Sequence, residues 1–154
     1  MAETSPHAEQ YLPKWIITRF VVLDASGRWA SAIHRETVQQ LRQRGDSLDC
    51  VPEFQTCTTA RDVLLCCEMR NTVGLILFAD RTEKECLAAL RGLLRRMQNL
   101  PVLLVGEDHH EELLPVMLEA GVQTALCNVK NDVPVGQWCA GILTRHSSAD
   151  PAGC

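Results

Sequence analysis

No uninterrupted apolar run in this chain approaches the roughly 20 residues that span a bilayer, and the opening MAETSPHAEQ has neither the basic cluster nor the apolar core of a secretory signal. The expectation is a soluble, cytoplasmic protein without a membrane partner. An excess of positive charge is missing too: 15 Lys and Arg against 19 Asp and Glu leave a formal net charge of -4. A phosphate backbone is therefore not the expected partner, and nucleic acid drops out. C-x-x-C is absent although there are eight cysteines. Cys66, Cys67, Cys86, Cys127 and Cys139 fall in apolar or helical-looking segments, where a reduced cysteine serves as a small hydrophobe. Cys66 and Cys67 are adjacent and point to different helix faces, which speaks against a zinc or redox site built on that pair. Internal repeats and low-complexity tracts are also lacking.

What is present is 154 residues with 46% hydrophobic content, enough for one substantial core. The expected domain is 14–146, between disordered segments 1–13 and 147–154. WIITRFVVLD (15–24) is a β-branched apolar run ending in an acid and reads as a buried strand. Ala30, Ile33, Val38 and Leu41 follow at helical spacing up to Gly45, placed as a left-handed C-cap. LDCVPEF (48–54) is a weaker strand whose Pro52 suits a sheet edge. Thr59 and Asp62 resemble a capping box ahead of Val63, Leu64 and Cys67. TVGLILFA (72–79) is the most continuous strand candidate, and Thr82 with Glu85 forms a second box before Leu87, Leu90, Leu94 and Met97. PVLLVG (101–106) and VQTALCNV (122–129) complete the strands; 107–121 and 135–145 complete the helices, the former interrupted by Pro115. Five strands alternating with five helices imply a parallel sheet covered on both faces, a three-layer, doubly wound α/β fold. In such a sheet ligands gather at the carboxyl ends of the strands, where Asp24, Asp80 and Gly106 fall.

The acid ending the first strand, LPVLLVG in the place of a fourth strand, and LEAGVQTALCNV leading into a fifth together resemble the receiver domain of bacterial response regulators, the CheY-like form of the flavodoxin-like fold. The resemblance spans about residues 15–145 and implies strand order 2-1-3-4-5. It also implies a site: two acids after the first strand for Mg²⁺, an aspartate ending strand three as phosphoacceptor, a Ser or Thr ending strand four, and a Lys ending strand five. A transferring phosphoryl group needs that divalent metal, cation and hydroxyl in fixed positions. Here Asp24 is followed by Ala25, and an ungapped count puts Phe78 in the acceptor position with Asp80 two residues later. Gly106 stands for the hydroxyl, Asn128 for the lysine and Ala125 for the aromatic switch; RTEKEC replaces the family's M-P-x-x-D-G. The residues left in the acidic pocket are Asp24, Asp80, Gly106 and Asn128.

The expected function is thus a non-catalytic pseudo-receiver, a signalling module acting through a protein partner or a homodimer without phosphorylation. Two alternatives stay open. One is a flavodoxin-like domain binding a phosphorylated small molecule or nucleotide at DASGRWAS (24–31), with Ser26 and Gly27 in the ligand loop. The other is an unorthodox phosphoreceiver using Asp80. No resident cofactor is expected, beyond Mg²⁺ held weakly by Asp24 and Asp80; the simpler role for both acids is to accept backbone hydrogen bonds in loops. EDHHEE (107–112) fails the H-E-x-x-H pattern because Leu114 stands where the second histidine is needed. Arg91, Arg95 and Arg96 read as a solvated face. Trp138, on a short last helix, suits a partner interface, although core packing is the simpler role for its ring.

Overall fold

Residues 16–45, 50–79, 83–96, 99–106, 115, 119, 124–127 and 131–153 are described by a computed structural model. The β-branched run forms β1 (Ile16–Leu23). It is followed by α1 (Trp29–Gln43), β2 (Cys50–Cys57), α2 (Ala60–Cys67), β3 (Thr72–Phe78), α3 (Glu83–Arg96) and β4 (Val102–Gly106). The first four strands are parallel in the order β2-β1-β3-β4, and a four-residue β5 (Thr124–Cys127) pairs in parallel beyond β4. The chain ends in α4 (Val133–Gly153). That helix is longer than the expected 135–145, and the tail from 147 on, expected to be disordered, is helical as far as Gly153. The leader 1–13 and most of the helix expected over 107–121 lie outside the described residues.

Period-two alternation sorts the core into two layers. Val21, Leu23, Leu75, Leu77 and Leu104 face α2 and α3, in one cluster with Val63 and Leu90. Phe20, Val22, Ile76, Phe78 and Leu103 face the other way, with Ile33 of α1 and Ile142 of α4. Strands covered on both sides must be apolar at consecutive positions, which is why β1, β3 and β4 read as continuous runs. Burying each such side chain contributes about 1.5–3 kcal/mol. β2 occupies a sheet edge, where Pro52 costs no ladder bond that a neighbour needs.

Local signals behave as their chemistry requires. Thr59 accepts the Asp62 amide at 3.2 Å, capping α2. Gly45 has φ +73° and donates to the Arg42 carbonyl, closing α1 with a left-handed residue. The buried stripe of α1 is Ile33, Thr37 and Leu41, so Thr37 takes the place expected for Val38. Its hydroxyl is satisfied by the Ile33 carbonyl at 2.7 Å, which makes a buried threonine tolerable. Between Arg19 and Phe20 the β1–β3 register shifts by one residue, and Gly74 lies against the Phe20 ring. Glu85 does more than start α3: its carboxylate accepts the Ala60 amide of α2 at 2.6 Å.

Candidate functional site

The carboxyl ends of β1, β3 and β4 lie side by side. Leu23 pairs with Leu77, and Leu77 with Leu104; one step on, Phe78 pairs with Val105. Asp24 therefore stands level with Phe78, and Ala79, whose amide donates to the Val105 carbonyl at 2.9 Å, lies next to Gly106.

Asp24 is 5% exposed, and its carboxylate is occupied by its own loop. Oδ1 accepts the Ser26 amide at 3.0 Å and the Ser26 hydroxyl at 2.8 Å. Oδ2 accepts the Trp29 amide at 3.2 Å. The carboxylate thus satisfies a free amide in the first turn of α1, where a negative charge also meets the positive end of the helix dipole. Arg28, the residue at the N-cap position, makes no side-chain cap bond, so Asp24 does this work from four residues away in sequence. Ser26 Oγ in turn accepts the Arg28 amide at 3.3 Å, and Gly27 turns the chain at φ +70°. These are the bonds of an Asx-type βα turn.

Phe78, the position an ungapped count gives to a phosphoacceptor, carries a buried ring stacked on Trp29, with centroids 4.7 Å apart and planes 19° from parallel. It faces the α1–α4 layer. Ala79 is fully buried on the opposite face. Gly106 is buried and pairs with Cys127. Asp80 and Asn128 lie outside the described residues; of the four expected pocket residues, Asp24 and Gly106 are placed at the same end of the sheet with β3 between their strands. Among the described residues no group of three or more His, Cys, Asp or Glu side chains is placed to hold a metal. Trp138 is half-buried against the α1–α4 core layer, its ring 6.2 Å from that of Phe20.

Two features were not anticipated. An open groove of about 480 Å³ runs between α1 and β2, lined by Ser31, His34, Arg35, Glu53 and Phe54 among others. Ser26 and Gly27 do not line it. The second feature is a contact between Cys57 at the end of β2 and Cys66 on α2, with Sγ atoms 3.7 Å apart. Cys57 carries no strand signal of its own, because it follows the polar Gln55 and Thr56, beyond the apolar stretch of 48–54.

Structures similar to this chain include HP1043, an orphan response regulator of H. pylori, with a TM-score of 0.62 at 10% identity, covering 84% of this chain and 98% of that one. A response regulator receiver protein from Burkholderia phymatum gives 0.55 at 22% identity, covering 82% and 95%. The phosphorylated cyanobacterial phytochrome response regulator RcpA gives 0.55 at 14% identity, covering 82% and 91%. No family model matches the chain, and no curated protein does. At these identities the likeness establishes the fold, which is that of a response-regulator receiver domain. No helix among the described residues is long and apolar enough to cross a membrane.

Proposed function

We propose that this receiver-fold chain is a pseudo-receiver, a non-catalytic module that signals through protein contact without phosphoryl transfer. The observation that carries the proposal is the chemistry at the three adjoining strand ends. β1 is followed by one acid whose two oxygens are taken by three donors of its own loop and of the start of α1, β3 ends on buried Phe78 and is followed by buried Ala79, and β4 ends on Gly106 without a hydroxyl. Receiver chemistry would call for a divalent cation here. The described donors do not fit one, because Ala25 supplies no second acid and Asp24 is turned to N–H and O–H groups. The sequence adds Asn128 in place of the ammonium that would balance developing negative charge. A phosphate-binding first loop gains less support than the interaction role, since the Ser26 and Trp29 amides that would cradle an anion already serve Asp24. A contact-based role asks only for a surface, and the part of Trp138 left outside the core is available to it.

The test is intact mass after incubation with acetyl phosphate and Mg²⁺. The expected spectrum shows no added phosphoryl group. A gain of one phosphoryl mass that disappears in Asp80→Asn would establish the unorthodox receiver instead. Sedimentation across protein concentration, with a pull-down from the native host, then distinguishes a homodimer from a heterologous complex.

A further inference from the structure

The structure assigns Cys57 and Cys66 as a dithiol that closes to an intramolecular disulfide on oxidation by a hydroperoxide, a modification site at the junction of β2 and α2. Their Sγ atoms are already in contact at 3.7 Å. A disulfide needs about 2.05 Å, so the two side chains must close a gap of about 1.7 Å between them. Both cysteines are reduced in the structure, as are Cys67, Cys86 and Cys139.

Their environments differ, and the difference assigns the roles. Cys66 is half-buried, so a small oxidant reaches it, whereas Cys57 is 4% exposed. Burial, and then the hydrogen bond and charge of Cys66, push the Cys57 thiol up to about 12. Thiolate is the form that attacks a peroxide, so oxidation begins at Cys66. The Cys66 sulfur displaces water from hydrogen peroxide and becomes a sulfenic acid. The Cys57 sulfur then attacks the Cys66 sulfur, the S–O bond breaks, and the sulfenic oxygen leaves as water with the Cys57 proton. Two thiols and one peroxide give one disulfide and two waters. Cys67 is a poor competitor for the oxidant, because it is 3% exposed in the core cluster that Cys66 only borders. Burial raises its thiol to about 12 as well.

Position gives the bond a consequence. The Cys57 carbonyl accepts the Asp24 amide at 3.0 Å, and the Cys66 carbonyl accepts the Thr72 hydroxyl at 2.8 Å. A link between these residues ties α2 to the strand-end rim beside Asp24 and to the entrance of β3.

The experiment treats the reduced full chain with hydrogen peroxide, quenches with an alkylating agent, and maps peptides by mass. The expected result is a Cys57–Cys66 peptide lighter by two hydrogens, formed at the same rate at high and low protein concentration, and reversed by thioredoxin or dithiothreitol. Cys57→Ser should lose the link and yield a dimedone adduct at Cys66; Cys66→Ser should lose both. Overoxidation of Cys66 to sulfinic acid in the wild type without the link, a link that uses Cys67 instead, or a link that forms only between chains would each overturn the assignment.

Discussion

Replacing Asp24 separates a structural carboxylate from a ligand-binding one, because the two roles predict opposite signs. In Asp24→Ala the Trp29 amide in the first turn of α1 loses its acceptor, a loss typically worth about 1 kcal/mol. The favourable meeting of the carboxylate with the helix dipole disappears as well, about 0.5–1 kcal/mol more in a partly buried setting. Ser26 is exposed, so its amide and hydroxyl turn to water and add little. The sum is about 2 kcal/mol of lost stability. With a urea slope of about 2 kcal/mol per molar, the unfolding midpoint falls by about 1 M. Asp24→Asn keeps one acceptor oxygen and loses the charge, so about half that shift is expected. Equilibrium urea unfolding followed by far-UV circular dichroism reads all three proteins. A neutral or stabilising Asp24→Ala would refute the reasoning, since acids held for a ligand commonly cost the fold stability that their removal restores.

Gly74→Ala puts a Cβ 2.9 Å from two carbons of the Phe20 ring and 3.3 Å from Trp138 Cη2, in a core with no slack; about 1–3 kcal/mol of destabilisation in urea titration is expected, and an unchanged midpoint would count against this packing. Trp138→Ala should cost about 2 kcal/mol of folding stability, less than a fully buried tryptophan because the ring is only partly buried, with the far-UV spectrum retained. If stability holds while sedimentation shows a complex dissociating, the ring belongs to an interface instead. Alkaline pH should weaken the fold. Burial raises the thiols of Cys57, Cys67 and Cys139, so the unfolded chain loses protons where the folded chain keeps them. Stability is intact below about pH 8.5 and falls as pH climbs through the folded-state values; urea midpoints equal at pH 8 and pH 10 would contradict this.

The strands were legible because a sheet covered on both faces leaves an unmistakable trace: Phe20 to Leu23 and Leu75 to Phe78 have no polar interruption to disguise them. Thr59 and Gly45 were legible for another reason, since caps act within a few residues of themselves. Pro52 announced the edge by the donor it lacks. Thr37 was not legible as a core residue, because what makes it acceptable inside is a bond to the Ile33 carbonyl that composition does not reveal. Glu85 resembled a local capping residue, and nothing nearby in sequence points to its bond with Ala60, 25 positions away. β2 extends to Cys57 because β1 supplies ladder partners that outweigh the polar Gln55 and Thr56. At the strand ends the sequence shows Ala25, Gly106 and Asn128 where the resemblance implies an acid, a hydroxyl and a lysine. The bonds of Asp24 to its own loop and to the start of α1 were not legible, because they depend on how the loop folds back.

The bond from Glu85 to the Ala60 amide joins two crossovers that the chain order keeps apart. One leads from β2 into α2, the other from β3 into α3. An amide held by a side chain on another helix exchanges with solvent only when that helix moves or the side chain lets go, so the Ala60 proton reports on α3 as well as on its own turn. In a hydrogen-exchange experiment the start of α2 should therefore open together with the first turn of α3. Glu85→Gln, which retains an acceptor without the charge, should speed exchange at Ala60 moderately, and Glu85→Ala should release it. A disturbance entering at the rim after β3 would in this way reach the cysteine-bearing helix without passing through the sheet.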